Sequence, residues 1–515
     1  MLPPFRNEPF TNFNDPANKA AFEAALKVVE SRFGEKIPLI VNGERIFTDD
    51  TIKSTNPAQP DQVLAYVSKG TKELALRAIE GANKTFQTWK NFDPDARGRI
   101  LIRAAAIMRR RKHEFSATMV MEIGKNWMEA DGDTAEAIDF LEFYGREMMR
   151  LNEHQPVVDS AGEENNLYYI PLGVGAVIPP WNFPNAIMVG MTSASLVTGN
   201  TVVLKPASIT PVVAYRFMEV LEEAGLPAGI VNFLPGPGGA IGDTIVDHKL
   251  TRFIAFTGSM EVGQRIFQRA SVVHEGQLWL KRTVLEMGGK DAILVDDDAD
   301  LEFASEQIVA SAFGFQGQKC SACSRLIVHE KVYDKLLEMV VARAKKIKCG
   351  PTKDLGNWHG PVSEEGAYNK IFEYIEIGKK EGKLVLGGGK AGSPGYFIEP
   401  TIIADVAPTA RIMQEEIFGP VLAVCKVKSF DEGLDVFNNT QFGLTGGYFG
   451  KRREHLERVR VEAHCGNLYL NRKCTGALVA VQPFGGFNQS GTDSKAGGRD
   501  YLQLFLQGKS VTERF

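Results

Sequence analysis

Cys320, one of six cysteines in this 515-residue chain, lies in the run Gly314-Phe-Gln-Gly-Gln-Lys-Cys320-Ser-Ala-Cys-Ser-Arg325. Small and polar residues surround it, a flexible setting in which a substrate can approach the thiol, unlike a cysteine inside an apolar strand. A nucleophilic cysteine needs three further parts: a donor for the oxyanion it creates, a base, and an electron acceptor if the reaction is an oxidation. Two glycine-rich turns are candidates for holding such an acceptor. Gly236-Pro-Gly238-Gly239-Ala-Ile-Gly242 follows a predicted strand and precedes a predicted helix. It has one residue too many before its last glycine for the dinucleotide fingerprint, and reads equally well as an ordinary tight turn. Phe256-Thr257-Gly258-Ser259-Met-Glu-Val-Gly263 repeats the pattern. Its glycine amides can approach a pyrophosphate at a helix N-terminus, with the Ser259 hydroxyl as a further donor.

The elements that must position these residues alternate in type. Residues 18–34 and 71–113 have helical periodicity, and 37–47 reads as a hairpin about Asn42-Gly43. Candidate strands at 175–179, 201–205, 230–234, 252–257 and 283–286 are separated by helical stretches such as 212–223 and 240–247. Such alternation predicts a doubly wound parallel sheet that takes its ligand at the strand C-terminal ends. A second α/β block runs from Lys290 to about Val479, with strands at 292–295, 325–328 and 421–427 and a helix at 332–347. The last twenty residues resemble a strand with no hairpin partner nearby, an edge that invites pairing.

The chain is too long for one hydrophobic core. A net charge of −4 disfavours a phosphate-tracking surface, so no nucleic-acid partner is expected. The basic cluster Arg109-Arg110-Arg111-Lys112 reads as a solvated helix end. Scattered cysteines and an N-terminus without signal or transit pattern point to the cytoplasm. The uncharged run from Asn165 to Leu204 is broken by four prolines and several glycines, so it reads as buried core and not as a membrane span.

Six motifs occur in order: Pro180-Trp181-Asn182-Phe183-Pro184, Phe256-Thr-Gly-Ser259, Leu285-Glu286-Met-Gly-Gly-Lys290, Gly317-Gln-Lys-Cys320, Glu415-Glu416-Ile-Phe418-Gly-Pro420 and Pro483-Phe484-Gly-Gly486. From about residue 38 to the end the chain resembles the NAD(P)-dependent aldehyde dehydrogenases. The resemblance implies an α/β fold with a Rossmann-like NAD-binding domain over 1–150 and 172–286. It implies a catalytic domain over 287–480, an oligomerisation arm from 151–171 with 495–515, and a return to the active-site region over 481–494. Cys320 becomes the nucleophile that forms a hemithioacetal and then a thioester. Asn182 and the Cys320 backbone N–H become the oxyanion donors, and Glu286 the base for Cys320 or for the hydrolytic water. Lys205 and Glu416 are expected on the two ribose rings of the cofactor, with Trp181, Gly258, Ser259 and Phe418 along the phosphate and nicotinamide path. Many NAD-selective members carry Glu three residues after the lysine; here Ser208 stands there. A 2′-phosphate then meets less repulsion, so NAD is the expected cofactor with NADP also used.

A finer likeness, carried by 314–325, Lys473-Cys-Thr475-Gly476-Ala477 and 482–492, is to members that oxidise L-glutamate 5-semialdehyde to L-glutamate in proline degradation. That likeness places Ser321, Gly476 and Ala477 at the substrate carboxylate, Phe183 and Phe484 along its aliphatic chain, and Glu136 near its ammonium group. Chain length and the lack of a basic arm make the monofunctional form the expectation. A homodimer or higher homo-oligomer is expected, with a small-molecule substrate and no resident metal. Alternatives are another aldehyde, such as succinate semialdehyde or a betaine-type aldehyde, a redox or zinc site at Cys320-Ser-Ala-Cys323, and a binding protein that kept the fold without the chemistry.

Overall fold

Strand connectivity in the computed structural model, which describes residues 3–392 and 394–515, divides most strands between two seven-stranded sheets. The first has the order Arg282–Glu286, Thr251–Thr257, Val174–Ile178, Thr201–Leu204, Val231–Phe233, Leu39–Val41, Glu44–Ile46. Its first five strands are parallel. The last two form the predicted hairpin, with φ of 56° at Asn42 and 84° at Gly43, as a tight two-residue turn demands. The chain enters the parallel block at Val174–Ile178, steps outward through Val231–Phe233, then returns to add Thr251–Thr257 and Arg282–Glu286 on the other side. That reversal opens a crevice at the C-terminal ends of Val174–Ile178 and Thr251–Thr257, where doubly wound sheets take their ligands.

The second sheet has the order Lys383–Leu386, Thr401–Ala404, Val421–Val427, Arg325–His329, Ala292–Val295, Thr445–Phe449, Asn467–Leu470, parallel except at its Lys383–Leu386 edge. Ala292 and Leu294 face one apolar cluster and Ile293 and Val295 the other, so the central strand is buried on both sides. Residues 287–291 alone link Glu286, the end of a strand in the first sheet, to Ala292, the start of one in the second. Cys320 precedes Arg325–His329. The C-terminal edge of one sheet therefore abuts the N-terminal edge of the other at the residues of interest.

Three expectations are sharpened. The stretch 71–113 is three helices, Lys72–Trp89, Pro94–Arg110 and Lys112–Ile123. Asp93 caps the second, accepting from the Ala96 N–H at 2.9 Å, and Pro94 cannot continue the preceding helix. The basic cluster does close the helix Pro94–Arg110, with Arg109 and Arg110 exposed as expected, but it is tied by ion pairs and its last residue is buried. Arg109 pairs with Glu8 and Glu142, Arg110 with Glu223, and Arg111 with Glu114 and Glu219. Lys112 is 8% exposed and lies 3.1 Å from Asp131. The C-terminal strand Leu506–Arg514 pairs antiparallel with Glu163–Pro171, a partner distant in sequence. No helix among the described residues is long and apolar enough to cross a membrane; the uncharged run folds into strands and the 12-residue helix Ala186–Val197.

Candidate active site

The Cys320 segment is held residue by residue. The helix Leu301–Phe313 ends in a turn where Phe315 (φ 48°), Gln316 (58°) and Gly317 (66°) are all left-handed. Such backbone persists only where its surroundings enforce it. Gln316 Nε2 donates to the Gly124 and Pro361 carbonyls at 3.2 and 2.7 Å, and Gln318 Oε1 accepts from the Ser363 N–H at 2.9 Å. A Cβ on Gly317 would sit 2.3 Å from the Gly419 carbonyl oxygen, so only glycine fits. Lys319 pairs with Glu129 at 2.7 Å. The polar surroundings read as flexibility in the sequence are therefore anchors. Cys320 keeps part of its surface open to a cavity. Burial pushes its thiol well up, and the Asp291, Glu416 and Glu286 carboxyls push it further.

Around that thiol the expected parts meet. Asn182, 4% exposed, follows Val174–Ile178 at the crevice and donates one amide hydrogen to the Gln318 carbonyl at 3.1 Å. Its second amide hydrogen and the Cys320 backbone N–H have no protein acceptor among the described residues. Glu286 accepts from the Ser494 hydroxyl, while its other oxygen is buried without a partner. Burial pushes this carboxyl up to about 8, against the pull of Ser494 and Lys495. The glycines after Glu286 serve close approach. A Cβ on Gly288 would meet the Glu416 carboxylate at 2.3 Å, and one on Gly289 the Cys320 carbonyl oxygen at 2.5 Å. Glu416 in turn accepts from the Gly289 N–H at 2.9 Å.

A cavity of about 860 Å³ runs from the crevice to Asn182 and Cys320, a size suited to an extended ligand. Trp181, Lys205, Gly258, Ser259, Glu416 and Phe418 line it, and Trp181 meets Phe418 edge-on at 5.4 Å. Lys205, 6% exposed, has no ion pair among the described residues, and burial lowers its ammonium to about 8. Ser259 caps the helix Met260–Ala270, accepting from the Val262 N–H at 3.4 Å. A buried lysine, a helix N-terminus behind Gly258, an aromatic pair and an inner carboxylate fit a dinucleotide with hydroxyl-bearing sugars. Ser208 does not line the cavity; Ala207 does.

On the other side of Cys320 lies a cluster of buried charges. Lys125, wholly buried, pairs with Asp133 at 2.8 Å and stands 3.9 and 4.7 Å from the ring centroids of Phe183 and Phe315. Glu136 is half-buried without a hydrogen bond among the described residues. Burial, then Asp133, pushes its carboxyl up to about 8, while Lys125 and Lys319 pull it down. Gly476 and Ala477 lie in the loop after Asn467–Leu470, and their N–H groups donate to no protein acceptor among the described residues. Ser321 is 8% exposed, and its carbonyl accepts from Thr445 Oγ1 at 3.4 Å. Phe484 is half-buried and exchanges backbone hydrogen bonds with Ala496.

Sequence reasoning missed the helix Trp127–Leu151, which carries Glu129, Asp133 and Glu136 along one side. Their three- and four-residue spacing was the available signal. It also missed Ser494, whose polar surroundings give no hint of a carboxylate partner, and Arg325. That guanidinium is fully buried and ties the Lys290, Val436 and Phe437 carbonyls together beneath the site at 2.7–3.0 Å.

The model of the aldehyde dehydrogenase family matches residues 46–511. Proteins named 1-pyrroline-5-carboxylate dehydrogenase from Geobacillus sp. (strain WCH70) and Geobacillus kaustophilus (strain HTA426) are each 60% identical over 515 residues, covering all of both chains. The crystal structure of 1-pyrroline-5-carboxylate dehydrogenase from Thermus with bound NAD aligns with a TM-score of 0.99 at 50% identity, covering all of both chains. Betaine aldehyde dehydrogenase from Staphylococcus aureus in complex with NAD+ aligns at 0.88 and 28% identity, over 96% of this chain and 97% of that one.

Proposed function

This chain belongs to the aldehyde dehydrogenase family, and we propose that it oxidises L-glutamate 5-semialdehyde, the open form of 1-pyrroline-5-carboxylate, to L-glutamate with NAD. Full-length likeness to dehydrogenases of that substrate supports the reading. The observation that carries it is a set of backbone and amide donors that have no protein acceptor among the described residues. The Cys320 N–H and the Asn182 amide remain for an oxyanion, and the Gly476 and Ala477 N–H groups remain for a carboxylate.

Cys320 loses its proton to Glu286 or to solvent, its sulfur adds to the aldehyde carbon as the carbonyl π pair moves onto oxygen, and its own N–H and Asn182 receive that oxyanion. Bound in the cavity, NAD supplies the hydride acceptor that turns the adduct into a thioester. Lys205 and Glu416 hold its ribose hydroxyls, and Gly258, Ser259, Trp181 and Phe418 bound its path. Glu286 takes the proton of the hydrolysing water, whose oxygen bonds to the thioester carbon as the carbon–sulfur bond breaks, so that Cys320 is released and the product leaves as a carboxylate. Ser321, Gly476 and Ala477 hold the substrate carboxylate, Phe183 and Phe484 flank its chain, and Glu136 faces its ammonium group. With Ser208 in place of a carboxylate, NADP is used as well; no acidic group perturbs Lys205.

Comparing kcat/KM for glutamate semialdehyde, succinate semialdehyde and betaine aldehyde tests the substrate. A clear preference for the first is expected, and preference for either of the others overturns it. The Asn182→Ala variant is expected to lose roughly 100- to 1,000-fold in kcat with NAD affinity unchanged, as removal of one oxyanion donor does elsewhere. Unchanged kcat would remove Asn182 from that role. The assembly proposed is a homodimer or larger homo-oligomer joined through the ribbon of Glu163–Pro171 and Leu506–Arg514, where Tyr168 and Phe515 are 51% and 84% exposed. The cytoplasm is the proposed compartment, all six cysteines being free thiols.

A further inference from the structure

Residues 3–13 form an extended strap that runs antiparallel along the helix Trp127–Leu151. The Pro3 carbonyl accepts from Arg146 at 3.3 Å, and Phe5 packs on Phe143 at 5.3 Å. Asp139 accepts from the Asn7 side chain at 2.8 Å and the Glu8 N–H at 2.6 Å. Asp131 accepts from the Thr11 N–H and hydroxyl at 2.8 and 2.6 Å, and Phe13 meets Trp127 edge-on at 5.3 Å. One helix thus presents two faces. Asp131, Asp139, Phe143 and Arg146 hold the strap, while Glu129, Asp133 and Glu136 belong to the charged cluster beside Cys320.

Glu8, Pro9 and Thr11 also meet Arg109 and Lys112 of the neighbouring helices, and Asn7 reaches the loop that follows Ala477. Its Nδ2 donates one hydrogen to Asp139 and the other to the Val479 carbonyl at 3.0 Å. Val479 lies two residues beyond Ala477. The same loop is tied to the same helix by a second route, in which the Ala480 N–H donates to the Gly497 carbonyl at 2.9 Å and the Gly497 N–H to the Tyr144 hydroxyl at 2.8 Å.

We propose that Asn7 is a positioning residue for substrate recognition, fixing the Gly476–Ala477 loop against the helix that carries Glu136. It would thereby set the separation between the groups that receive the carboxylate and the ammonium of an α-amino acid head. The inference rests on the assignment of those two groups to the substrate head. Without the Val479 anchor the loop keeps its local bonds, such as those of Arg472 to the Thr475 and Gly476 carbonyls. Its hydrogen-bonded tie to this helix then runs through Gly497 alone among the described residues, and its free amides are less well aimed. Orientation of this kind governs the affinity for the head and not the chemistry at Cys320.

The test uses Asn7→Ala and the isosteric Asn7→Asp, which removes both donors and sets a carboxylate against Asp139. The aldehydes are glutamate semialdehyde and propanal, which has no head to recognise. For Asn7→Ala the KM for glutamate semialdehyde should rise about tenfold, the size of one lost hydrogen bond, and Asn7→Asp should rise further. The KM for NAD, the kcat, and kcat/KM for propanal should stay at wild-type values. Equal losses on both aldehydes, or an unchanged semialdehyde KM in both variants, overturns the role of Asn7. A wild-type enzyme that shows no preference for glutamate semialdehyde overturns instead the substrate reading on which it rests, and the two failures are separable because the second needs no variant.

Discussion

Cys320→Ala is expected to abolish aldehyde oxidation, by a factor on the order of 10⁴ or more, while NAD binds as in the parent. Hydride can leave only from a tetrahedral carbon that already bears a negative oxygen. Without the sulfur, water would have to add to the aldehyde, and neutral water is a far weaker nucleophile than a thiolate. The cofactor cavity loses little by the change. Its walls come from the ends of Val174–Ile178, Thr201–Leu204 and Thr251–Thr257 and from Glu416 and Phe418, and none of these leans on the thiol. Calorimetric titration with NAD, beside an assay for reduced cofactor, separates the two properties. Substantial turnover by Cys320→Ala would overturn the mechanism. The parallel variant Cys323→Ala should keep most activity, because that thiol is 1% exposed, donates to the Arg325 carbonyl at 3.4 Å and neighbours Cys474 instead of lining the cavity. Loss of turnover there would instead revive the paired-cysteine reading of 320–323.

The site was legible in the sequence where its chemistry lies within a short stretch of chain. Glu286 and its glycines, Cys320 and its neighbours, and Asn182 between two prolines are each read from a few residues in a row. What joins them was not legible, because the partners are far apart in sequence. Asn182 finds Gln318, Lys319 finds Glu129, and Glu286 finds Ser494, and only the packed sheets bring these segments together. The same limit explains the misreading of 314–320 as flexible. Polar residues in a row look solvated until one sees that Gln316, Gln318 and Lys319 each have a distant, buried or half-buried partner. The parallel strands that were read from the sequence fall within a residue or so of their places because both their faces are buried and their runs are continuously apolar. By contrast, Thr401–Ala404, Thr445–Phe449 and Asn467–Leu470, short and carrying threonine, glycine or polar residues, went unread. The helix Trp127–Leu151 escaped for the opposite reason. Buried Asp131, Asp133, Asp139 and Glu147 interrupt any apolar stripe, since this helix buries charges to hold the strap and the site. The three-stranded sheet of Glu35–Ile37, Gln59–Ser68 and Thr51–Asn56 escaped as well, being half-exposed, polar and bulged.

Glu286→Gln should lower kcat by roughly 100- to 10,000-fold, the range of a lost general base, and should change how the rate depends on pH. The carboxyl is neutral in the free protein below about 8, because burial outweighs the stabilising Ser494 hydroxyl and Lys495 ammonium, and Asp493 adds to the upward shift. A base acts only when ionised. For the parent, kcat/KM should therefore climb with pH through about 8, since that parameter reports groups of the free enzyme. Glutamine keeps the shape and the hydrogen bond to Ser494 but cannot ionise. The climb should then disappear from that range, leaving only the thiol of Cys320, whose own ionisation lies well above it. Rapid mixing locates the step at which Glu286 works. One equivalent of reduced cofactor per site, followed by slow turnover, places it at hydrolysis of the thioester; no burst places it at activation of Cys320. A Glu286→Gln enzyme with the parent's rate and the parent's pH profile would show that this carboxyl serves neither step. Its burial against Ser494 would then be a matter of packing between the two sheets.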